Sequence, residues 1–575
     1  MVKPHLFIVF SLLCLFALSS QAKVTHTTVP PARIVWMSDN TGKFVSNPNH
    51  LLGTFSGQLS VSDTSYATLM SSDTHQASIL LDFGKEMYGR IKIFSAIREC
   101  KVPVRLRIRL GESVTEAMSD VNMPDNPQNP TNEHSLRDFT VSAPWLGSFQ
   151  CGNSGFRFAR IDLLDKDIKY NLRHVSAVSL IRDIEDKGSF CSDNERINQI
   201  WQTGAYTVKL NMQEYLWDGI KRDRLVWVGD MHPEVMTINN VFGEQEVVYK
   251  SLDFARDDTP FPGWMNGMCS YSLWWIIIQK DLYMYQGNLD YLKSQRDYLL
   301  RLVKQIDERI DENGVERLDG IRFLDWPTSE NQNVIHSGLQ SLSFMAMKAA
   351  VQIGEYIGDR DMIRMASSCL ERMKGVAVDA HDNSQAAALN IISGLSTDPE
   401  KDCETILKNG LDGFSTFYGY YMLRAMALAG NYQGALDVIR TYWGAMLDVG
   451  ATTFWEDFNM EWLPDAGRID ELVPAGKKDI HGDYGAYCYQ GFRHSLCHGW
   501  ASGPTSWLSE YVLGVQVVEP GCRTVRIIPH LGDLEWVEGT FPTPYGVIEI
   551  RHEKGADGKV ISYINAPEEI RVCMD

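Results

Sequence analysis

The feature that most constrains the fold is a long series of helical hydrophobic patterns in the middle of the chain. After Gly188, Ser192-Asp-Asn-Glu195 has the spacing of a capping box, which predicts that a helix begins there. Ile197 and Trp201 then continue one helical face. Similar patterns follow at 272–285, 289–310, 334–357, 361–373, 384–395, 413–428 and 432–447. Consecutive helices without clearly interleaved strands predict antiparallel pairs packed side by side. The periodicity is compatible with both a closed toroid and an open solenoid.

Strand patterns flank this helical region on both sides. Arg90–Phe94, Val102–Leu110 and Phe156–Leu163 alternate apolar with polar residues, as half-buried strands do. Alternation returns after Leu513, at 524–529, 546–551 and 560–564. A chain of 575 residues is also too long for a single core. We therefore predict an N-terminal antiparallel β-sandwich at 23–187, a helical domain at 188–513 and a small C-terminal β domain at 514–575.

The first 22 residues have the organisation of a secretory signal peptide. Lys3 supplies a positive charge, Leu6–Leu18 an apolar run and Ser19–Ala22 a small-residue cleavage site. We expect the mature chain to begin near Lys23 and to be exported. No other stretch approaches the roughly 18 uninterrupted apolar residues of a membrane span, so no membrane association is expected after signal cleavage.

Net charge and composition argue against one class of binding partner, nucleic acid. The formal net charge is −19, and the basic residues are not clustered enough to follow a phosphate backbone, so a nucleic-acid partner is not expected. A hydrophobic content of 44% with 22% charged residues is that of an ordinary globular protein.

Three predicted loop segments of the helical region combine acids with tryptophan. Carboxylates in different environments beside indole rings suit sugar chemistry, because one acid can stay protonated while another stays charged. Each acid alone is better explained as a helix cap or a salt-bridge partner, and it is the recurrence of tryptophan that favours a sugar site. The segments are Asp218–Glu234, with Asp223, Trp227 and Asp230; Phe323–Pro327, with Asp325 and Trp326; and Gly450–Phe458, with Trp455, Glu456 and Asp457.

Inverting glycoside cleavage requires a protonated carboxyl near the leaving oxygen and an ionised carboxylate that activates water, roughly 6.5–9.5 Å apart. Acids from loops distant in sequence meet this separation more easily than neighbours on one turn. Since two carboxylates suffice, no cofactor and no metal is expected. His494 and His498 are four residues apart but lack a surrounding His-Glu-x-x-His sequence. A histidine there fits a ligand of sugar hydroxyls and a cap of a buried helix equally well.

The order of these motifs resembles that of the α-L-rhamnosidases of glycoside hydrolase family 78. Members typically carry Asp-x-x-x-Arg-(Asp)-Glu-Arg-x-x-Trp-x-Gly-Asp, and this chain has Asp218-Gly-Ile-Lys-Arg-Asp-Arg-Leu-Val-Trp-Val-Gly-Asp230. Leu324-Asp-Trp326, Thr453-Phe-Trp-Glu456 and Ser495-Leu-Cys-His498 resemble their Gly-Asp-Trp, Thr-x-Trp-Glu and Ser-x-x-His segments. The resemblance covers nearly all of the mature chain. It implies a β-sandwich, an (α/α)6 barrel and a C-terminal β domain.

The resemblance also implies a function and roles for individual residues. The expected activity is that of an inverting exo-hydrolase that releases terminal α-L-rhamnose from plant polysaccharide or rhamnosylated glycosides, in a bacterial periplasm or outside the cell. Glu456 would be the general base. The expected sugar ligands and apolar walls are Asp218, Arg222, Trp227, Asp230, Asp325, Trp326, Trp455 and His498.

One position departs from the family motif. Where the family has its acid Glu, this chain has Arg-Asp-Arg, and the acid position falls on Asp223. Aspartate can transfer the same proton but reaches one methylene less far. We take Asp223 as the acid, with Asp230 or Glu234 next. The missing Glu leaves two rivals open: an (α/α)6 glycosidase specific for a different sugar, and a carbohydrate-binding homologue without hydrolysis.

Overall fold

The computed structural model describes residues 23–97, 102–120, 137–487 and 489–574. The predicted signal peptide at 1–22 lies outside these residues. Within them, a strand-rich region, a helical region and a second strand-rich region follow one another in the predicted order. None of the helices in these described segments is both long and apolar enough to cross a membrane.

The N-terminal region is an antiparallel sheet of nine strands with a core of its own. The order is β3-β4-β9-β5-β8-β6-β7, and β1 and β2 pair with β9 and β5. All nine belong to one hydrogen-bonded sheet because the long β9 pairs with β1, β4 and β5 along its length. The elements are β1 Val24–Val29, β2 Arg33–Met37, β3 Val45–Ser46, β4 Ala67–Ser71, β5 Ser78–Ser95, β6 Val104–Gly111, α1 Val114–Met118, β7 Asp138–Ala143, β8 Gly147–Leu163 and β9 Ile168–Arg182.

The middle of the chain is helical, as predicted. A π-helical segment, Ile439–Trp443, joins α13 to α14, and another, Leu508–Val512, continues α15. The helices are α2 Glu195–Asn211, α3 Val228–Val241, α4 Glu246–Asp257, α5 Cys269–Gln286, α6 Leu289–Ser294, α7 Arg296–Asp307, α8 Gln332–Ile357, α9 Arg360–Met373, α10 Ser384–Ser393, α11 Pro399–Leu407, α12 Gly419–Leu428, α13 Tyr432–Val438, α14 Gly444–Asp448 and α15 Gly503–Trp507.

Six of these helices form a closed inner ring. In order around the ring, α3 contacts α5, α5 contacts α8, α8 contacts α10, α10 contacts α12, α12 contacts α15, and α15 contacts α3 again. The residues of α3, α5, α10, α12 and α15 are mostly buried, and α8 buries one part of its surface. The fold is therefore a closed toroid rather than an open solenoid.

Several local predictions differ from the structure for a physical reason. Asp218–Glu234 was predicted as a loop, yet α3 begins at Val228 and includes Asp230 and Glu234. Because all residues of α3 are buried, the sequence has no polar face to mark it as a helix. The capping box predicted at Ser192 is also wrong: Asn194 caps α2 and accepts a hydrogen bond from the Ile197 N–H.

The C-terminal region forms two small sheets that share their core with the helices. One has the order β10-β15-β16-β17 and the other β13-β14-β18. The strand β10, which lies within the range predicted as helical, pairs with β15 and so belongs to the C-terminal sheet. The strands of these sheets are β10 Ser189–Ser192, β13 Val515–Glu519, β14 Thr524–Ile527, β15 Trp536–Thr543, β16 Gly546–Lys554, β17 Val560–Asn565 and β18 Arg571–Cys573. Two further strands, β11 Ala466–Gly467 and β12 Lys478–Asp479, form a separate parallel pair within the helical region.

Candidate active site

A cavity of about 250 Å³ lies where four of the inner helices begin. The residues that line it precede or open α3, α5, α8 and α15, or follow α14. Helix N-termini carry partial positive charge, which favours carboxylates nearby. The lining residues are Asp218, Arg222, Asp223, Trp227, Asp230, Met268, Tyr271, Phe323, Trp326, Glu456, Tyr489, Arg493, His498 and Trp500.

Most of the residues expected from the sequence lie around this one cavity. The three loop segments identified there do converge, although they are far apart in the chain. Asp325 and Trp455 are the exceptions, since neither lines the cavity. The expected site residues that do line it are Asp218, Arg222, Asp223, Trp227, Asp230, Trp326, Glu456 and His498.

Asp218 organises the loop that carries Asp223. Its Oδ2 accepts a hydrogen bond of 2.8 Å from the Asp223 backbone N–H, and its Oδ1 accepts one of 2.9 Å from Leu225. Burial raises the pKa of Asp218 to about 7, and the neighbouring carboxyls of Asp230 and Asp223 add to the effect, while His498 opposes it. Asp218 thus holds the backbone of the loop and also borders the cavity.

Arg222 joins the two candidate catalytic carboxylates. Its Nη2 donates a hydrogen bond of 2.6 Å to Glu456 Oε2, and its Nη1 donates one of 3.0 Å to Asp223 Oδ1. Since both nitrogens belong to one planar guanidinium, these carboxylate oxygens lie no more than about 8 Å apart. The Asp223 side chain is 21% exposed and that of Glu456 4% exposed. Glu456 therefore lies deep in the cavity and Asp223 nearer its mouth.

Glu456 is fixed by the backbone of the segment before α15. Its Oε2 accepts a second hydrogen bond, of 3.0 Å, from the Ser495 N–H, and its own N–H donates to the Ser495 carbonyl at 2.9 Å. The Glu456 carbonyl accepts from Thr416 Oγ1 and Trp500 Nε1. Its Oε1 lies 3.9 Å from His498 Nε2. The carboxylate is thereby held in one orientation.

His498 forms an ion pair inside the cavity wall. Its Nε2 lies 3.0 Å from Asp230 Oδ1. Burial alone would lower the pKa of His498, but the carboxylates of Glu456 and Asp230 raise it to about 9. At neutral pH the ring is therefore a cation that donates to Asp230, whose position in the first turn of α3 points it toward this ring.

Asp325 lies outside the cavity wall and has a structural role as a helix cap. Its side chain caps the short helix Trp326–Thr328 by accepting the Trp326 N–H, and it also accepts from Ser415 and Gln385. Burial raises the pKa of Asp325 to about 6, although these hydrogen bonds oppose the shift. Asp325 therefore orients Trp326 instead of binding a ligand directly.

Trp455 is likewise part of the core. It is fully buried, and its ring packs edge-on against Phe458 at a centroid distance of 5.8 Å. Glu234, the reserve candidate for the acid, is buried on α3 and does not line the cavity. Its Oε1 accepts from Asn211 Nδ2 at 3.3 Å.

Six lining residues were not among the site residues predicted from the sequence. An aromatic arc runs around the cavity through Trp227, Tyr271, Phe323 and Trp326, with consecutive ring centroids 6.3, 6.3 and 5.1 Å apart. Tyr271 belongs to the buried helix α5, where an aromatic is an ordinary core residue by pattern. Three of them had a nearby signal: Phe323 opens one of the three candidate segments, Arg493 precedes His494, and Trp500 follows His498 by two residues. The unexpected lining residues are Met268, Tyr271, Phe323, Tyr489, Arg493 and Trp500.

Comparison with known proteins supports the same domain order. The bacterial α-L-rhamnosidase six-hairpin glycosidase domain matches residues 185–361, and the bacterial α-L-rhamnosidase C-terminal domain matches residues 514–573. An α-L-rhamnosidase of Alteromonas sp. (strain LOR) is 24% identical over 554 residues, which cover 86% of this chain and 55% of the relative. The chain spans about half the length of the curated relatives it matches.

Solved structures show the same fold. A family 78 rhamnosidase of Bacillus sp. GL1 superimposes with a TM-score of 0.72 at 20% identity, covering 92% of this chain and 56% of that one. A rhamnosidase from Klebsiella oxytoca, solved with rhamnose bound, gives a TM-score of 0.67 at 18% identity, covering 85% of this chain and 96% of that one.

The closed ring of helices, with its carboxylate-lined cavity, defines a six-hairpin glycosidase domain. With the C-terminal domain following it in the chain, the protein has both domains that bacterial α-L-rhamnosidases contain, and it is similar to the α-L-rhamnosidases of glycoside hydrolase family 78. The predicted fold class and the family resemblance are both confirmed.

Proposed function

We propose that this protein is an inverting exo-glycoside hydrolase that releases terminal α-L-rhamnose. The observation that carries the proposal is the pair Glu456 and Asp223, bridged by Arg222 across a cavity of about 250 Å³. The named relatives are α-L-rhamnosidases, and one solved relative holds rhamnose.

The size of the cavity supports action at chain ends. At about 250 Å³ it is smaller than the roughly 300–1,000 Å³ of pockets that hold drug-sized ligands, so it suits one monosaccharide. The aromatic arc from Trp227 to Trp326 gives it an apolar wall. Such a wall complements the methyl group of a 6-deoxy sugar and disfavours a hydroxyl in its place by about a hundredfold at most.

The different exposure of the two carboxylates supports their assignment. Glu456, deep in the cavity, would accept a proton from the water that attacks the anomeric carbon. Asp223, nearer the mouth, would donate a proton to the glycosidic oxygen, so that the leaving group departs toward solvent. The upper bound of about 8 Å on their separation allows the lower part of the roughly 6.5–9.5 Å range that inversion requires. Arg222 and His498 would meanwhile hold Glu456 and bind sugar hydroxyls.

Product stereochemistry on 4-nitrophenyl α-L-rhamnopyranoside, followed by proton NMR, tests sugar, activity and inversion together. The expected first product is β-L-rhamnose. Initial release of α-L-rhamnose would refute inversion. A panel of other nitrophenyl glycosides tests the rival hypothesis of a glycosidase for a different sugar. The aspartate at position 223, where the family motif has glutamate, favours this rival. Binding of rhamnose by calorimetry without turnover of any glycoside would instead establish a binding protein.

We further propose that the protein is exported and acts on plant polysaccharide or rhamnosylated glycosides. The charged, apolar and small-residue stretches of residues 1–22 support export. Fractionation of the producing cells tests this, with N-terminal sequencing of the product. A mature chain that begins near Lys23 and lies outside the cytoplasm is expected, whereas an uncleaved cytoplasmic chain would refute export.

A further inference from the structure

A cluster of buried charges lies where the N-terminal sheet region meets the helical region. Lys221, next to Arg222 in the cavity loop, is fully buried, and its Nζ lies 2.9 Å from Glu112 Oε2 and 3.2 Å from Glu116 Oε1. Arg137 Nη1 lies 3.1 Å from Glu116 Oε1. Both glutamates come from the N-terminal region, at the end of β6 and in α1. Buried charges of this kind are costly unless paired.

The ligand atoms of Glu112, Glu116 and His481 lie within 4.8 Å of one another, a grouping that fits a metal ion by distance alone. The Lys221 ammonium already contacts both carboxylates at hydrogen-bond distance. The lysine therefore supplies the positive charge that a metal would bring, and the cluster is an ion-pair network.

This ion-pair network forms hydrogen bonds with the backbone of one segment, residues 492–496. Lys221 Nζ donates to the carbonyls of Phe492, at 2.9 Å, and His494, at 2.6 Å. Glu112 Oε2 accepts the Leu496 N–H at 2.8 Å. One lysine and one glutamate thus fix both ends of a five-residue stretch.

The neutral side chain of His481 forms a further hydrogen bond with the backbone of the same segment. Burial lowers the pKa of His481 to about 3, and Lys221 adds to the effect. The neutral ring has one donor and one acceptor. Because a carbonyl can only accept, Nε2 donates to the His494 carbonyl at 2.9 Å, and Nδ1 accepts from Ser113 Oγ at 2.7 Å. Ser113 is the N-cap of α1 in the N-terminal region.

The same segment, residues 492–496, also binds Glu456, the candidate general base. Ser495, between the residues bound by Lys221 and Glu112, donates its N–H to Glu456 Oε2 at 3.0 Å and accepts the Glu456 N–H at 2.9 Å. The path from the N-terminal region to the catalytic carboxylate therefore consists of two hydrogen-bonded steps through one short backbone segment.

We propose that Glu112 and Lys221 are positioning residues for Glu456, and that the N-terminal region thereby completes the catalytic site. The inference rests on the proposed function for its catalytic meaning. Neither side chain lines the cavity, so each acts through Ser495 and not by contact with the sugar. A displacement of the base by about 1 Å is enough to cost on the order of a hundredfold in rate.

The test compares Glu112→Gln with Asp162→Asn. Asp162 is the control because it is also a buried carboxylate of the N-terminal region, yet it pairs with Arg109 and Arg160. On the nitrophenyl rhamnoside, Glu112→Gln should lower kcat at least about tenfold with KM within about twofold of wild type. Asp162→Asn should change neither by more than about twofold. Equal losses in both variants, or a KM effect alone, would overturn the proposal.

Hydrogen exchange at the Ser495 and Leu496 amides provides a readout that needs no turnover. Glu112→Gln should speed exchange in this segment at least about tenfold, with the rest of the helical region unchanged. Unchanged exchange would refute the positioning role even in a protein that binds rhamnose without hydrolysis. A wild type that fails on every glycoside while Glu112→Gln still loosens the segment would refute the proposed function alone. If Glu112→Gln does not fold, Lys221→Met replaces it in both measurements.

Discussion

Arg222 Nη2 lies 2.6 Å from Glu456 Oε2, so a residue of the loop before α3 binds a carboxylate that follows α14. The same guanidinium reaches Asp223 Oδ1 at 3.0 Å. A planar guanidinium can hold two carboxylates in fixed directions, whereas an ammonium is a point charge. Arg222 therefore sets the spacing of the two groups on which the proposed reaction depends.

Arg222→Lys should lower kcat about tenfold to a hundredfold, because an ammonium cannot bridge both carboxylates in the same geometry. Steady-state kinetics on the nitrophenyl rhamnoside measure this. Arg224→Lys is the matched control, since Arg224 donates to the Asn153 carbonyl and does not line the cavity. Wild-type kcat in Arg222→Lys would show that the bridge is dispensable.

Glu456→Gln should lower kcat at least about a hundredfold while rhamnose binding is retained, because the amide cannot accept the proton of the attacking water. Kinetics and calorimetry on the same preparation separate the two effects. Glu461→Gln, an exposed glutamate nearby in the chain, should be indistinguishable from wild type. Substantial turnover by Glu456→Gln would remove this residue from the role of base.

Asp223→Asn should lower kcat at least about a hundredfold on an alkyl rhamnoside and much less on a 2,4-dinitrophenyl rhamnoside, whose leaving group needs no proton. Asp223→Glu restores the residue expected from the family motif and should raise activity on the alkyl substrate if reach limits the wild type. A loss that is the same for both leaving groups would argue against Asp223 as the acid, and the same comparison would then be made with Asp230→Asn.

The domain order, the family resemblance and most of the cavity wall were predictable from local patterns and motif order. The structural features that were not predicted depend on packing between residues far apart in the chain. The helix α3 is buried on all sides and so shows no amphipathic period. The strand β10 is defined by a partner, β15, near the other end of the chain. Trp326 and Trp455 both stand beside an acid in sequence, and only the tertiary fold directs one to the cavity and the other to the core.

That difference between the two tryptophans can be measured. Trp455→Ala should lower the free energy of unfolding by about 3–5 kcal/mol, as truncations of buried aromatics do. Trp326→Ala removes part of the cavity wall and should mainly raise KM, by about tenfold. Urea unfolding and steady-state kinetics on both variants check this. A raised KM with intact stability in Trp455→Ala would place that ring at the sugar after all.

The free energy of unfolding of the protein should fall as the pH rises from about 6.5 to about 9, because the His498 cation is lost over this range. Burial disfavours the His498 cation, but Glu456 and Asp230 outweigh it and raise the pKa of His498 to about 9 from its ordinary 6.5. A group whose pKa is higher in the folded state stabilises the fold fully below its unfolded pKa, and that contribution is lost as the pH passes the folded pKa. The difference corresponds to at most about 3.4 kcal/mol. Urea unfolding of wild type and His498→Gln at pH 6, 7.5 and 9 measures it. The wild type should lose more stability than the variant between the first and last pH, and parallel losses would show that His498 is not the cation that holds Asp230 and Glu456 together.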